Sequence, residues 1–159
     1  MNRNYSDLQM GHSASFLSHS QPGDTALAAL PARTRALMQL AIRQAERSDC
    51  RQRVGAVLAV GNRVLSASPN LRRNSPSIDF RHATFHAEEA VLRKSRRAAG
   101  ATAYVARVSS RGVPLMAQPC PRCHEALESA GVVRAYFTTN PSNLSGDQLV
   151  SASFALLSR

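Results

Sequence analysis

His86-Ala87-Glu88, followed further on by Pro119-Cys120-Pro121-Arg122-Cys123, places one imidazole and two thiols at spacings that suit a metal ion. Three such ligands hold zinc and leave its fourth tetrahedral position open to water, which is the arrangement of a catalytic site. Glu88 brings a carboxylate beside the metal without being needed to coordinate it. Zinc that acidifies water, with a glutamate that moves protons, is the chemistry of a hydrolase. Two other readings use the same cysteines. A structural zinc site would need a fourth ligand, for which His82, His124 and Cys50 are available, and a Cys-x-x-Cys pair can be redox-active. Neither gives Glu88 or Pro119 a role. Taken singly, His82 and His124 read as surface or supporting residues and Cys50 as a small apolar packing residue. Glu89 reads as a helix-surface charge or a partner of the site.

These residues must be brought together by elements that the sequence also marks. Leu37, Leu40, Ala41 and Ala45 recur at helical spacing between arginines, which predicts an amphipathic helix over Thr34 to Ser48. Val54 to Val60 and Arg63 to Ala67 flank Gly61-Asn62 and read as a β-hairpin. Pro69 to Arg81 is a long polar loop, a kind of segment that often carries function. His86 to Ala98 is rich in good helix formers and is stopped by Gly100. Thr102 to Val108 reads as a strand, and Arg111-Gly112 as a turn. Pro121 to Ala130 is a third helix with proline in its first turn, ended by Gly131. Val132 to Thr138 is another strand. Asn140 to Arg159 is compatible with a strand or a short helix. The order α-β-β-α-β-α-β predicts an α/β fold, with a mixed sheet of about four to five strands flanked by helices. His86 then opens one helix while Cys120 and Cys123 open another. Cysteines three apart in a first turn face the same way, and the positive end of a helix favours thiolates.

The H-x-E and P-C-x-x-C motifs resemble those of the zinc-dependent cytidine/deoxycytidylate deaminase superfamily. The resemblance covers roughly Thr34 to Thr139. Cys50-Arg51-Gln52-Arg53-Val54-Gly55-Ala56-Val57 looks like the first strand of deoxycytidylate deaminases. Gly61-Asn62-Arg63-Val64 resembles the hairpin of that family and of the tRNA adenosine deaminases. It implies a three-layer-like cytidine deaminase fold over residues 31–159, Zn2+ as cofactor, His86, Cys120 and Cys123 as ligands and Glu88 as the proton carrier. It also implies that Asn70, after the second strand, hydrogen-bonds the base or sugar, and that the Ala87 backbone N–H holds the base carbonyl. Two departures stand out. Ser109 to Gln118 separates the third strand from Pro119-Cys120, and Gln118 stands where many relatives carry glutamate. That layout resembles the free-nucleoside cytidine deaminases, although those use cysteine where this chain has His86.

The rest of the composition bounds partners and location. The chain has 159 residues with a net charge of +10, and Lys94 is its only lysine. Such a surface suits an anionic partner, or is a solvated arginine-rich face. Residues 1–30 are rich in Ser, Asn, Gln and His without periodicity and read as a disordered tail. An unpaired cysteine count, no apolar stretch of membrane-spanning length and no apolar leader core lead to the expectation of a cytoplasmic protein without a membrane partner. Relatives imply a homo-oligomer. For substrate contacts, Phe85 beside His86 is a candidate pocket wall, with core packing as the alternative. Arg72 and Arg73 are candidate readers of a phosphate, with a solvated loop as the alternative. The favoured activity is hydrolytic deamination of a cytosine nucleoside or nucleotide to the uracil product, with ammonia released. The alternatives are an adenosine- or guanine-type deaminase acting on tRNA or a free base, and a non-catalytic zinc-stabilised module that binds nucleic acid.

Overall fold

The computed structural model describes residues 30–72, 85–140 and 150–152. The first helix, α1 (Ala32–Glu46), follows Pro31 and buries Leu37, Ala41 and Ala45 of the expected stripe, with Met38 buried beside them and Leu40 only partly so. Strands β1 (Arg53–Val60) and β2 (Arg63–Pro69) pair antiparallel, closing at Val60 opposite Arg63. Between them Gly61 takes φ 55°, the left-handed region in which glycine carries no Cβ penalty. Then come α2 (Ala87–Lys94), β3 (Thr102–Val108), β4 (Pro114–Leu115), α3 (Pro121–Ser129), β5 (Arg134–Thr138) and β6 (Val150–Ala152).

The sheet runs β2-β1-β3-β5-β6, with β4 paired to β3 off this path. It is mixed. β1 lies antiparallel to β3, β3 is parallel to β5, and β6 is antiparallel to β5. A parallel neighbour needs a crossover, and α3 lies within the one that joins β3 to β5.

Side chains alternate across the sheet, so β1 and β3 feed two cores. Val57, Ala59, Tyr104 and Ala106 pack with Leu37, Met38 and Ala41 of α1. Ala56, Leu58, Ala103 and Val105 pack on the other face with Ala87 and Val91 of α2 and Leu127 of α3. The architecture is therefore helix, sheet, helices, the expected three layers. Gly55 allows α1 to lie close on β1, because a Cβ there would overlap the Ala41 carbonyl oxygen and the Ala45 amide nitrogen.

Two details differ from the expected elements. Helix α2 stops at Lys94, short of Ala98, where Ser95 turns extended at ψ 128° and its hydroxyl donates to the Arg97 carbonyl at 2.9 Å. Arg93, Lys94, Arg96 and Arg97 form a like-charged run there, which disfavours further helix. The segment before the cysteines contributes the short strand β4, not only a lead-in. In the ambiguous C-terminal stretch, residues 150–152 form a strand. The tail at residues 1–29 lies outside the described residues, as do Arg73 and His82. Among the described residues, no helix is long and apolar enough to cross a membrane.

Candidate active site

Two helix N-termini meet on the sheet face opposite α1. His86 is the N-cap of α2 and Cys120 the N-cap of α3, both with extended backbone, and Cys123 lies in the first turn of α3. His86 Nδ1 lies 3.1 Å from Cys123 Sγ and 3.7 Å from Cys120 Sγ. All three donor atoms fall within 4.8 Å of one another. Tetrahedral zinc, with bonds of about 2.3 Å to sulfur and about 2.0 Å to nitrogen, holds such atoms roughly 3.5 Å apart. The donor set thus fits zinc in both chemistry and spacing. The cluster of donors stops at three among the described residues. His124, one of the conceivable fourth ligands, instead pairs its Nε2 with Glu128 at 3.2 Å one helical turn on. Cys50 is buried in the cavity wall and does not join the cluster.

Glu88 is only 5% exposed. Burial pushes its carboxyl above the ordinary range, and neighbouring Glu89 adds to the rise. Its own backbone amide, the Cys123 thiol and Arg122 pull the other way. In the metal-free protein burial, with Glu88 and Cys120 close by, also raises the Cys123 thiol far above its ordinary value. A bound cation reverses that preference, because it is the thiolate that coordinates.

A cavity of about 510 Å³ opens on the cluster, a volume suited to a small ligand. Its lining includes His86, Ala87, Glu88, Cys120 and Asn70, so five residues singled out in the sequence share one wall. Ala87 is the first residue of α2, where a backbone N–H has no carbonyl one turn back to receive it. Asn70 is already committed on most of its atoms. Its Oδ1 accepts from the Val54 amide at 3.0 Å and from the Ser48 hydroxyl, and its Nδ2 donates to the Gln52 carbonyl at 2.8 Å. Among the described residues Nδ2 donates no second hydrogen bond.

Phe85 and Arg72 lie elsewhere. Phe85 is not among the cavity-lining residues. Its backbone pairs with Leu71, and its ring is buried beneath the Arg93 guanidinium at 5.5 Å. Tyr104 and Tyr136 stack on each other at 5.3 Å on the α1 side, and Phe137 is in the opposite core. No aromatic ring among the described residues lines the cavity. Arg72 is exposed and outside the lining, while Arg73 lies outside the described residues. Two arginines that sequence reasoning missed, Arg51 and Arg107, do line it. Met116, Ala117 and Gln118 complete the wall, so the segment that departs from relatives helps to build the cavity. Arg107 could have been found from its parity with Ala103 and Val105, which place it on the same sheet face.

The profile of the cytidine and deoxycytidylate deaminase zinc-binding region matches residues 31–139. The chain belongs to this deaminase family. Zinc is its cofactor, and His86, Cys120 and Cys123 form a possible site for it. The deaminase fold is also that of the dCMP deaminase of cyanophage S-TIM5. Its apo structure is 22% identical over 72% of this chain and 89% of that one, with a TM-score of 0.53. Its complex with dCMP and dUMP is 23% identical over 74% and 88%, again at 0.53. A structure from studies of A-to-I editing by tRNA:A34 deaminases at the wobble position of transfer RNA is 29% identical over 66% and 75%, with a TM-score of 0.45. No curated protein sequence matches this deaminase chain at a significant level.

Proposed function

We propose that the protein hydrolyses the exocyclic amine of a cytosine nucleoside or nucleotide, giving the uracil product and ammonia. The observation that carries this reading is the buried Glu88 beside the three-donor cluster, with Glu88, His86 and Cys120 lining one cavity. Bound zinc supplies Lewis acidity that makes water a nucleophile near neutral pH. Glu88 takes up the proton released by water and returns protons to the ring nitrogen and to the departing amine. Burial with the carboxyl raised suits that exchange, since an acid–base group works best with its pKa near the working pH. The Ala87 N–H receives the base carbonyl, and the Asn70 Nδ2 orients the base or sugar. The same reading places the protein in the cytoplasm, where thiols stay reduced, as a homo-oligomer.

A nucleotide is favoured over a nucleoside by Arg51 and Arg107. Among the described residues neither has an ion-pair partner, and both residues line the cavity. They line the cavity, as Arg72 does not, and are the candidate readers of a 5′-phosphate there. The test is turnover of cytidine, deoxycytidine and their monophosphates by wild type and Arg107→Ala. Selective loss of monophosphate turnover, weaker at high salt, supports the reading. Equal loss on nucleosides and monophosphates removes the phosphate role and leaves a nucleoside deaminase.

A further inference from the structure

Arg122 sits in the first turn of α3, between the two cysteine ligands. A cation is poorly placed there, because the helix dipole presents positive charge at that end. Its position is explained by what it reaches on the other helix. The Arg122 Nε lies 3.3 Å from Glu89 Oε1, and its Nη2 donates to Glu89 Oε2 at 3.3 Å. Only Nη2 makes a hydrogen bond; Nε is in ion-pair contact, its N–H without a hydrogen-bond partner among the described residues. The same Oε2 accepts the backbone N–H of His86 at 3.2 Å. Glu89 therefore holds the backbone of one ligand while gripping the residue between the other two.

We propose that Glu89 and Arg122 are positioning residues that tie the two ligand-bearing helix ends together and set the spacing of the zinc donors. The Glu89 side chain is 15% exposed and that of Arg122 36%, so as a simple ion pair it contributes little to the fold. Its leverage lies at the metal, where shifts of a few tenths of an ångström in donor position weaken coordination. The tie rests on His86, Cys120 and Cys123 being the ligands and is independent of which base is deaminated.

The test measures zinc affinity of the full chain by competition with a chelating indicator. The proteins are wild type, Glu89→Gln, Arg122→Met, the double variant and Arg122→Lys. Glutamine keeps an oxygen for the His86 amide and removes only the charge pair. Each of the first two changes is expected to weaken zinc binding by about 10- to 100-fold. The double variant should be no weaker than the worse single one, because losing either partner already releases the tie. Arg122→Lys, with charge but no planar fork, should recover part of the affinity. The melting temperature of the metal-free proteins should move by no more than a few degrees. Zinc affinity within about threefold of wild type in both single variants overturns the proposal, given that measured effects vary by such factors. So do penalties that multiply in the double variant, or an affinity loss matched by collapse of the metal-free fold. A wild-type chain that binds no zinc overturns the ligand assignment itself, and is told apart by the first measurement.

Discussion

His86 Nδ1 and Cys123 Sγ stand 3.1 Å apart although 37 residues separate them in the chain. Helix α2 and helix α3 are brought end to end by packing on the same sheet face, through Val91 and Leu127. The site is therefore assembled by the fold and completed by a metal.

Zinc should stabilise the folded state and bind more tightly as pH rises. The Cys123 thiol, raised by burial in the metal-free protein, must lose its proton to coordinate. Adding zinc at 100 times its dissociation constant should stabilise wild type by about 2.7 kcal/mol. Thermal unfolding with and without zinc checks this. Cys123→Ala should show no comparable shift, and a zinc affinity independent of pH would contradict the thiolate assignment.

Glu88→Gln should keep zinc and lose roughly 10²- to 10⁴-fold in rate, the span usual for a general acid–base group. It should also alter the pH profile of the metal-free fold. Burial raises the Glu88 carboxyl above its ordinary value near 4.5, so the folded state holds this proton more tightly than the unfolded chain. Stability from this group is fully present below that ordinary value and is lost as pH rises through the raised folded value. Glutamine removes that decline. Denaturant unfolding of the metal-free proteins from acid to neutral pH should show the wild-type decline flattened in the variant. A steeper decline in the variant would contradict the burial argument.

Asn70→Ala should cost stability as well as turnover. The side chain holds the Val54 amide, the Ser48 hydroxyl and the Gln52 carbonyl. Leaving buried groups unpaired costs about 1–3 kcal/mol each. Chemical denaturation reads that loss, and kinetics on every accepted substrate reads the second. A variant with unchanged stability would show that the pocket corner is not built on Asn70.

The clustering of His86, Cys120 and Cys123, the place of Glu88 beside them and the three layers were legible because each rests on a local pattern. Ligand spacing, the stripe of Leu37, Ala41 and Ala45, and the hairpin around Gly61-Asn62 survive folding unchanged. The pocket wall was not legible, because it depends on which loops close over the site. Phe85 was a reasonable neighbour in sequence but packs under Arg93. Arg107 and Met116 come from β3 and the segment after β4, separated from His86 in the chain and joined to it only by sheet order. The Glu89–Arg122 contact was equally hidden, since it links two helices whose meeting no local period encodes.

The most direct test of the central claim is ammonia release with zinc content measured on the same samples. The substrates are cytidine, deoxycytidine, their monophosphates, adenosine, guanine and single-stranded RNA. The account predicts one zinc per chain in wild type and in Glu88→Gln, with ammonia and a uracil product formed from a cytosine nucleoside or nucleotide by wild type alone. Zinc-loaded wild type that releases ammonia only from adenosine or guanine substrates, or from none while binding RNA, would contradict it.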